Sequence, residues 1–196
     1  MAPQKDDLIP EGFPRDLKWT LNDAVESLGR LFDFVDKECA TSMNWYFEKK
    51  KKKRIAAYIC RWGAIFLVAA AAAVPIVSQM PQGQDATGLS PAWATILVIF
   101  AGVLISLDHF GGYTSGWVRY VNAAQLLGDL QADNQMEWEL QRQAMQNGAT
   151  DVESVKKGIL MCKDFLGKVH DIVRNETNQW AQEFQKALAE LEKGKG

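Results

Sequence analysis

Histidine and cysteine are scarce in this chain. Two histidines, His109 and His170, and three widely separated cysteines, Cys39, Cys60 and Cys162, are all that its 196 residues offer. None stands at CxxC, HExxH or mixed Cys/His spacing, which excludes the usual zinc sites and a disulfide framework. The cysteines are expected as reduced thiols. The sequence also has no GxSxG, no P-loop and no carboxylate pair at a convincing spacing, so neither an enzyme activity nor a cofactor is expected. A net charge of −2 excludes a global basic field that would recruit nucleic acid. The first 20 residues are polar and acidic and lack the apolar core of a cleaved signal peptide, so a first membrane span is expected to insert uncleaved.

What the chain does have is segregation. Charged residues make up 23% of it, yet residues 55–80 and 92–107 hold almost none of them. Residues 55–80 would reach about 39 Å as a helix, against a hydrocarbon core of about 30 Å. The second apolar segment, residues 91–110 with a charge-free part from Ala92 to Leu107, is shorter and spans with help from its interfacial ends. Pro91 suits its first turn. Residues 81–90 join the two with turn-forming Gly and Pro and carry no Lys or Arg. A buried hairpin inside a soluble bundle is the competing reading, but soluble core helices seldom stay apolar on every face over this length.

Six consecutive cations, Lys49, Lys50, Lys51, Lys52, Lys53 and Arg54, precede the first span, and Arg119 follows the second. The positive-inside rule puts both termini in the cytoplasm, with the basic run fixing topology and touching anionic lipid headgroups. Nucleic-acid binding is not expected, because no basic face recurs and no aromatics are interleaved. Trp45, Tyr46, Trp62, Trp93, Trp117, Arg119 and Tyr120 are the expected interface anchors. Arg61 and Asp108 both fall near the cytoplasmic ends of the spans. An ionisable residue at membrane depth costs roughly 2.5–3.5 kcal/mol on the insertion scale and reads as a functional candidate. With Ser106, these two either line or gate an ion path, or form an inter-helix salt bridge with Arg61 snorkelling.

Outside the spans, residues 20–48 follow a 3- and 4-residue apolar spacing that predicts an amphipathic helix, with Thr20 as its cap and 1–19 as a tail. This helix is able to run on into the first span. Gly111 and Gly112 interrupt the pattern after the second span. Thr114 or Ser115 is the expected cap of a helix over about 114–145. Thr150 and Glu153 are the expected capping box of a last helix over about 151–191. Val155, Ile159, Leu166, Val169 and Val173 alternate steps of 3 and 4 on that helix; the series skips Glu176 and reaches Trp180. A stripe this long demands a partner. It is expected to serve self-association, with packing inside the chain as the alternative. The fold class is therefore an all-α membrane protein, a two-helix transmembrane hairpin (spans within 49–110) with a cytoplasmic helical bundle that includes a long C-terminal helix.

The stretch "NWYFEKKKKKR" opening the first span and "HFGGYTSGWVRY" after the second resemble the SLATT family of two-transmembrane effector domains, over roughly residues 17–190. The matching positions are Trp45, Tyr46, Gly111, Ser115, Gly116, Trp117, Arg119 and Tyr120. The link Gly112-Tyr113-Thr114 is longer than the family pattern leads one to expect. The resemblance implies an effector of a bacterial or archaeal conflict system in the inner (cytoplasmic) membrane. Such an effector oligomerises and opens a pore, or disrupts the membrane, once a sensor tied to a nucleotide second messenger detects infection. No nucleotide-sensing domain is expected within these residues, which makes the sensor a separate protein. The rival reading is a membrane-anchored scaffold or receptor with the last helix as a docking surface.

Overall fold

The computed structural model describes residues 12–20, 23–79, 90–148 and 151–193. They form four α-helices: α1 (Ala24–Ser78), α2 (Ala92–Gly111), α3 (Tyr113–Gln146) and α4 (Val152–Lys193). No strand occurs among the described residues, and the expected all-helical class holds.

The expected amphipathic helix, the basic run and the first span are one element. α1 continues for 55 residues. No Gly or Pro lies between Gly29 and Gly63, and lysine and arginine are good helix formers. Its first helical residue is Ala24 rather than Thr20. The Thr20 hydroxyl donates to Asp23 Oδ2 at 2.7 Å, and the Thr20 carbonyl accepts from the Ala24 N–H at 2.8 Å.

The break after α2 is a single residue. Gly112 takes the left-handed conformation, φ 54° and ψ 38°, and its N–H donates to the Asp108 carbonyl. A left-handed residue that closes a helix in this way favours glycine. Tyr113 already begins α3, so Tyr113 and Thr114 belong to a helical turn and do not lengthen the link. At α4 the capping pair sits one residue later than expected. Asp151 Oδ1 accepts from the Ser154 N–H at 2.7 Å, and Ser154 Oγ accepts from the Asp151 N–H at 3.0 Å. These bonds hold the Asp151 carboxyl below the usual carboxylate range. Thr150 lies outside the described residues.

The chain divides into two compact units, Met1–Lys49 with Arg119–Gln179, and Lys50–Val118 with Trp180–Gly196. The first is a three-helix bundle. Leu28, Val35, Cys39, Leu127, Cys162 and Val169 are sealed at its centre, and Phe32 stacks on Trp138 at 4.7 Å. Gln131 and Gln135 both donate to Asp36, and Gln141 donates to the Ser154 carbonyl. The apolar stripe of α4 is consumed here. Val169 is fully buried, and Val155, Ile159, Leu166 and Val173 pack against the same core. The face expected to bind other chains is thus occupied by the chain's own α1 and α3, because periodicity reveals an apolar face and not its partner.

The second unit contains the hairpin. Ala57, Cys60, Ala64, Ala71 and Val74 of α1 and Ala101 of α2 are buried along a thin seam. Small residues permit this close approach; a Cβ added at Gly63 would meet Leu104 Cδ1 at 2.8 Å. Almost everything else apolar in the hairpin faces outward, including Ile59, Phe66, Ile76, Ile99, Phe100 and Ile105. Only 6% of the most apolar window beginning in α2 is buried. A soluble core hairpin would show the reverse, and both helices are long and apolar enough to cross a membrane.

Two glycines make the packing testable. A Cβ on buried Gly158 would collide with the side chain of Leu28, which is fully buried and has nowhere to go. Gly158→Ala should lower stability by about 1–3 kcal/mol through overpacking. Exposed Gly167 has nothing within 4 Å of the same position, and Gly167→Ala should raise stability by about 0.5–1 kcal/mol. Thermal midpoints in detergent micelles check both signs.

Candidate functional site

Two clusters of polar side chains stand out, one in each unit. In the hairpin unit the polar groups gather at the α2–α3 corner. The Asp108 carboxylate reaches over Gly112 and accepts from the Thr114 N–H at 3.1 Å, capping the first turn of α3. This replaces the expected cap by Thr114 or Ser115. The Thr114 hydroxyl donates to Asp108 Oδ2 at 2.7 Å and accepts from Arg61 Nη2 at 3.5 Å. Arg61 and Asp108 are therefore linked through a hydroxyl and not by a direct salt bridge. Serine or threonine was expected here only as a cap. Its bridging role has no sequence signal, since Arg61 lies 53 residues from Thr114.

α4 is tied to the same corner. Ser115 Oγ donates to Glu183 Oε2 at 2.8 Å, and His109 Nε2 lies 3.3 Å from Glu190 Oε2. Glu183 and Glu190 are two turns apart and share a helix face. That seven-residue repeat was the available signal for this contact. Ser106 donates to the Gly102 carbonyl of its own helix at 2.9 Å, which satisfies the hydroxyl within the span. Of the basic run, Lys53 passes over Gly116, within 2.7 Å of where a Cβ would stand, and Lys49 lies over the Trp45 ring at 5.7 Å. Lys51 and Arg54 are exposed, and so are Trp62 and Trp93. Trp117 is half-buried.

In the bundle unit, four expected interface anchors form an internal cluster. Tyr46 is 1% exposed and Arg119 8%, and such side chains cannot meet headgroups. Trp45, Tyr46 and Tyr120 pack ring to ring at 5.1–5.8 Å. Arg119 Nε donates to Glu176 Oε1 at 3.4 Å, with both side chains almost wholly buried. Glu176 is the residue at which the α4 stripe breaks phase. The break exists because a carboxylate is required inside to meet Arg119, since a buried charge must be paired. Aromatic and cationic residues near a span fit either an interface or a buried ion pair. Only the partner decides, and it lies 57 positions away.

Burial pushes the Tyr46 phenol far above its ordinary value, with the Glu176 charge adding to the effect. Tyr120 is raised for the same reasons, offset in part by Arg119. Burial likewise pushes the Cys39 thiol up to about 12 and Cys162 to about 11, which leaves both protonated and unreactive near neutrality. No group of three or more His, Cys, Asp or Glu able to hold a metal ion occurs among the described residues.

The profile of the SMODS and SLOG-associating 2TM effector domain 2 matches residues 7–194, nearly the whole chain. The chain belongs to this family of SLATT effector domains. No curated protein and no solved structure matches it. Membership agrees with the two long apolar helices, and the protein is a membrane-integral effector domain of the type associated with SMODS and SLOG conflict systems. The SLATT motif residues divide between the two clusters. Tyr46, Arg119 and Tyr120 build the bundle's ion-pair core, and Ser115 and Gly116 build the hairpin's corner.

The raised phenols set an alkaline limit. A tyrosine whose folded value exceeds its unfolded one, about 10, contributes stability that is complete below pH 10. That contribution is lost as the pH climbs toward the folded value. The melting temperature should therefore fall above about pH 10, and the fall should be shallower in Tyr46→Phe. Thermal scans of both proteins from neutrality upward check this.

Proposed function

We propose that this protein is a homo-oligomeric pore-forming or membrane-perturbing effector of prokaryotic defence, gated by a separate sensor protein or its ligand. It sits in the inner membrane with both termini cytoplasmic. The exposed Lys51 and Arg54 before the first span, against no Lys or Arg in residues 81–90, support that orientation. The observation that carries the reading is the hairpin itself. Its two helices touch along one narrow seam and leave their remaining faces apolar and uncovered. One hairpin cannot enclose a path for ions, so a pore requires several copies side by side.

The Arg61–Thr114–Asp108 chain of contacts is the gate in this reading. Held together, it fixes the corner against α1. Released, it lets the corner move and presents two charges at the mouth of the assembly. The bundle is the receiving element. A sensor that binds one packing of α1, α3 and α4 better than another shifts the gate's equilibrium by that difference in affinity.

Purified protein in planar bilayers should give discrete conductance events, with a multimeric mass measured in parallel. Thr114→Val removes hydrogen bonds to a charged partner worth about 1.5–3 kcal/mol and should raise open probability by at least tenfold. Arg61→Glu should shift the preference from anions toward cations. Unchanged selectivity with normal assembly would remove Arg61 from the path, and a silent monomer would overturn the pore.

The scaffold reading has one observation in its favour. Met136, Leu140 and Leu160 of the bundle are more than half exposed, as a docking surface would be. A scaffold would keep its activity when both spans are exchanged for an unrelated hairpin, whereas a pore would lose it.

A further inference from the structure

The last turns of α4 carry a ridge of large apolar side chains that the described residues leave nearly half exposed. Trp180, Phe184 and Leu188 follow one another at four-residue spacing and are 47%, 45% and 44% exposed. Trp180 and Phe184 stack with ring centroids 5.7 Å apart. The ridge does not belong to the bundle core, which the α4 stripe leaves after Val173. Ala187, buried within the hairpin unit, marks the side of α4 that faces inward.

The height of this segment is fixed by two contacts within the hairpin unit. Glu183 meets Ser115 in the first turn of α3, and Glu190 meets His109 in the last turn of α2. Going toward its C-terminus, α4 thus moves from α3 past the corner onto the end of the second span. His109 is two residues beyond Leu107, where the charge-free part of α2 ends. Residues 184–190 therefore lie at the level where hydrocarbon gives way to headgroups. At this level tryptophan and other aromatic rings are favoured, and an amphipathic helix buries its apolar face. At about 100° per residue, Lys186 falls on the far side of the helix from it.

We infer that the Trp180–Phe184–Leu188 ridge is a lipid-binding face, which lays the end of α4 in the headgroup–acyl boundary beside the second span. α4 then meets the bilayer directly at one end and fills the bundle core at the other. The occupant is lipid and not a second copy, because Glu190 meets His109 at the end of the second span and so holds the ridge at interfacial depth, where aromatic rings are favoured.

Nitroxide labels placed singly at Phe184→Cys, Leu188→Cys and Lys186→Cys test this. The full chain is reconstituted in vesicles of phosphatidylethanolamine and phosphatidylglycerol, with Phe100→Cys in the second span as reference. The native thiols are buried, so labelling goes to the introduced cysteine, and wild type measures the background. Collision with oxygen should exceed collision with a water-soluble nickel chelate at 184, 188 and 100, with the order reversed at 186. The ratio at 184 and 188 should be several-fold above that at 186. A nickel-accessible 184 and 188 beside a lipid-reading 100 would mean that the ridge faces water, and would overturn the proposal. Loss of both accessibilities together with dipolar broadening would assign the ridge to a second copy, again overturning it. A nickel-accessible 100 would show that the hairpin itself is not inserted, and the lipid face would fall with it.

Discussion

A single carboxylate, that of Asp108, decides how the chain leaves the second span. A helix that ends near hydrocarbon exposes carbonyls at its own terminus, and the next helix begins with orphan N–H groups. Neither set finds enough water there. Gly112 answers the first need by turning its N–H back to the Asp108 carbonyl, and the Asp108 side chain answers the second by accepting from Thr114. With both satisfied in one residue of turn, α3 starts at once. The first turn of α3, and with it Ser115, takes its phase from this corner.

The residues at the corner and those in the bundle meet opposite solvents. In the hairpin the apolar groups are outside and a few small residues are inside. In the bundle the apolar groups are inside, and a charged pair sits among the aromatic rings. α1, α3 and α4 each contribute to both units without a break. A helix that is amphipathic over its whole length has a mean character that hides this, since the buried face changes its chemistry midway.

Much of this was legible in the sequence, and the failures have a common cause. The two spans, the basic run and the helical class follow from composition along the chain, which depends on local residues only. The stretches "NWYFEKKKKKR" and "HFGGYTSGWVRY" together pointed to the family. Contacts across the chain were not legible. Tyr46 and Arg119 read as interface anchors because an aromatic or a cation beside a span usually is one, and only Glu176 on a distant helix makes them a core. Glu176 itself read as a fault in a heptad series. Val155, Ile159, Leu166 and Val173 read as a surface for other chains because spacing names a face and not what covers it. Asp108 was singled out for its charge at membrane depth, but its bond to Thr114 depends on the turn at Gly112, which propensity alone left open.

The one-residue turn at Gly112 makes the chain intolerant of length at this point. An added or deleted residue would rotate all of α3 by about 100° relative to α2. Ser115 of α3 and His109 of α2, which meet Glu183 and Glu190 on one face of α4, would then no longer both reach it. Loops elsewhere in proteins absorb insertions because their flanking elements are independently anchored. Here the joint behaves as a gear tooth, and relatives of this chain that differ in length at the corner must carry compensating shifts in both contacts.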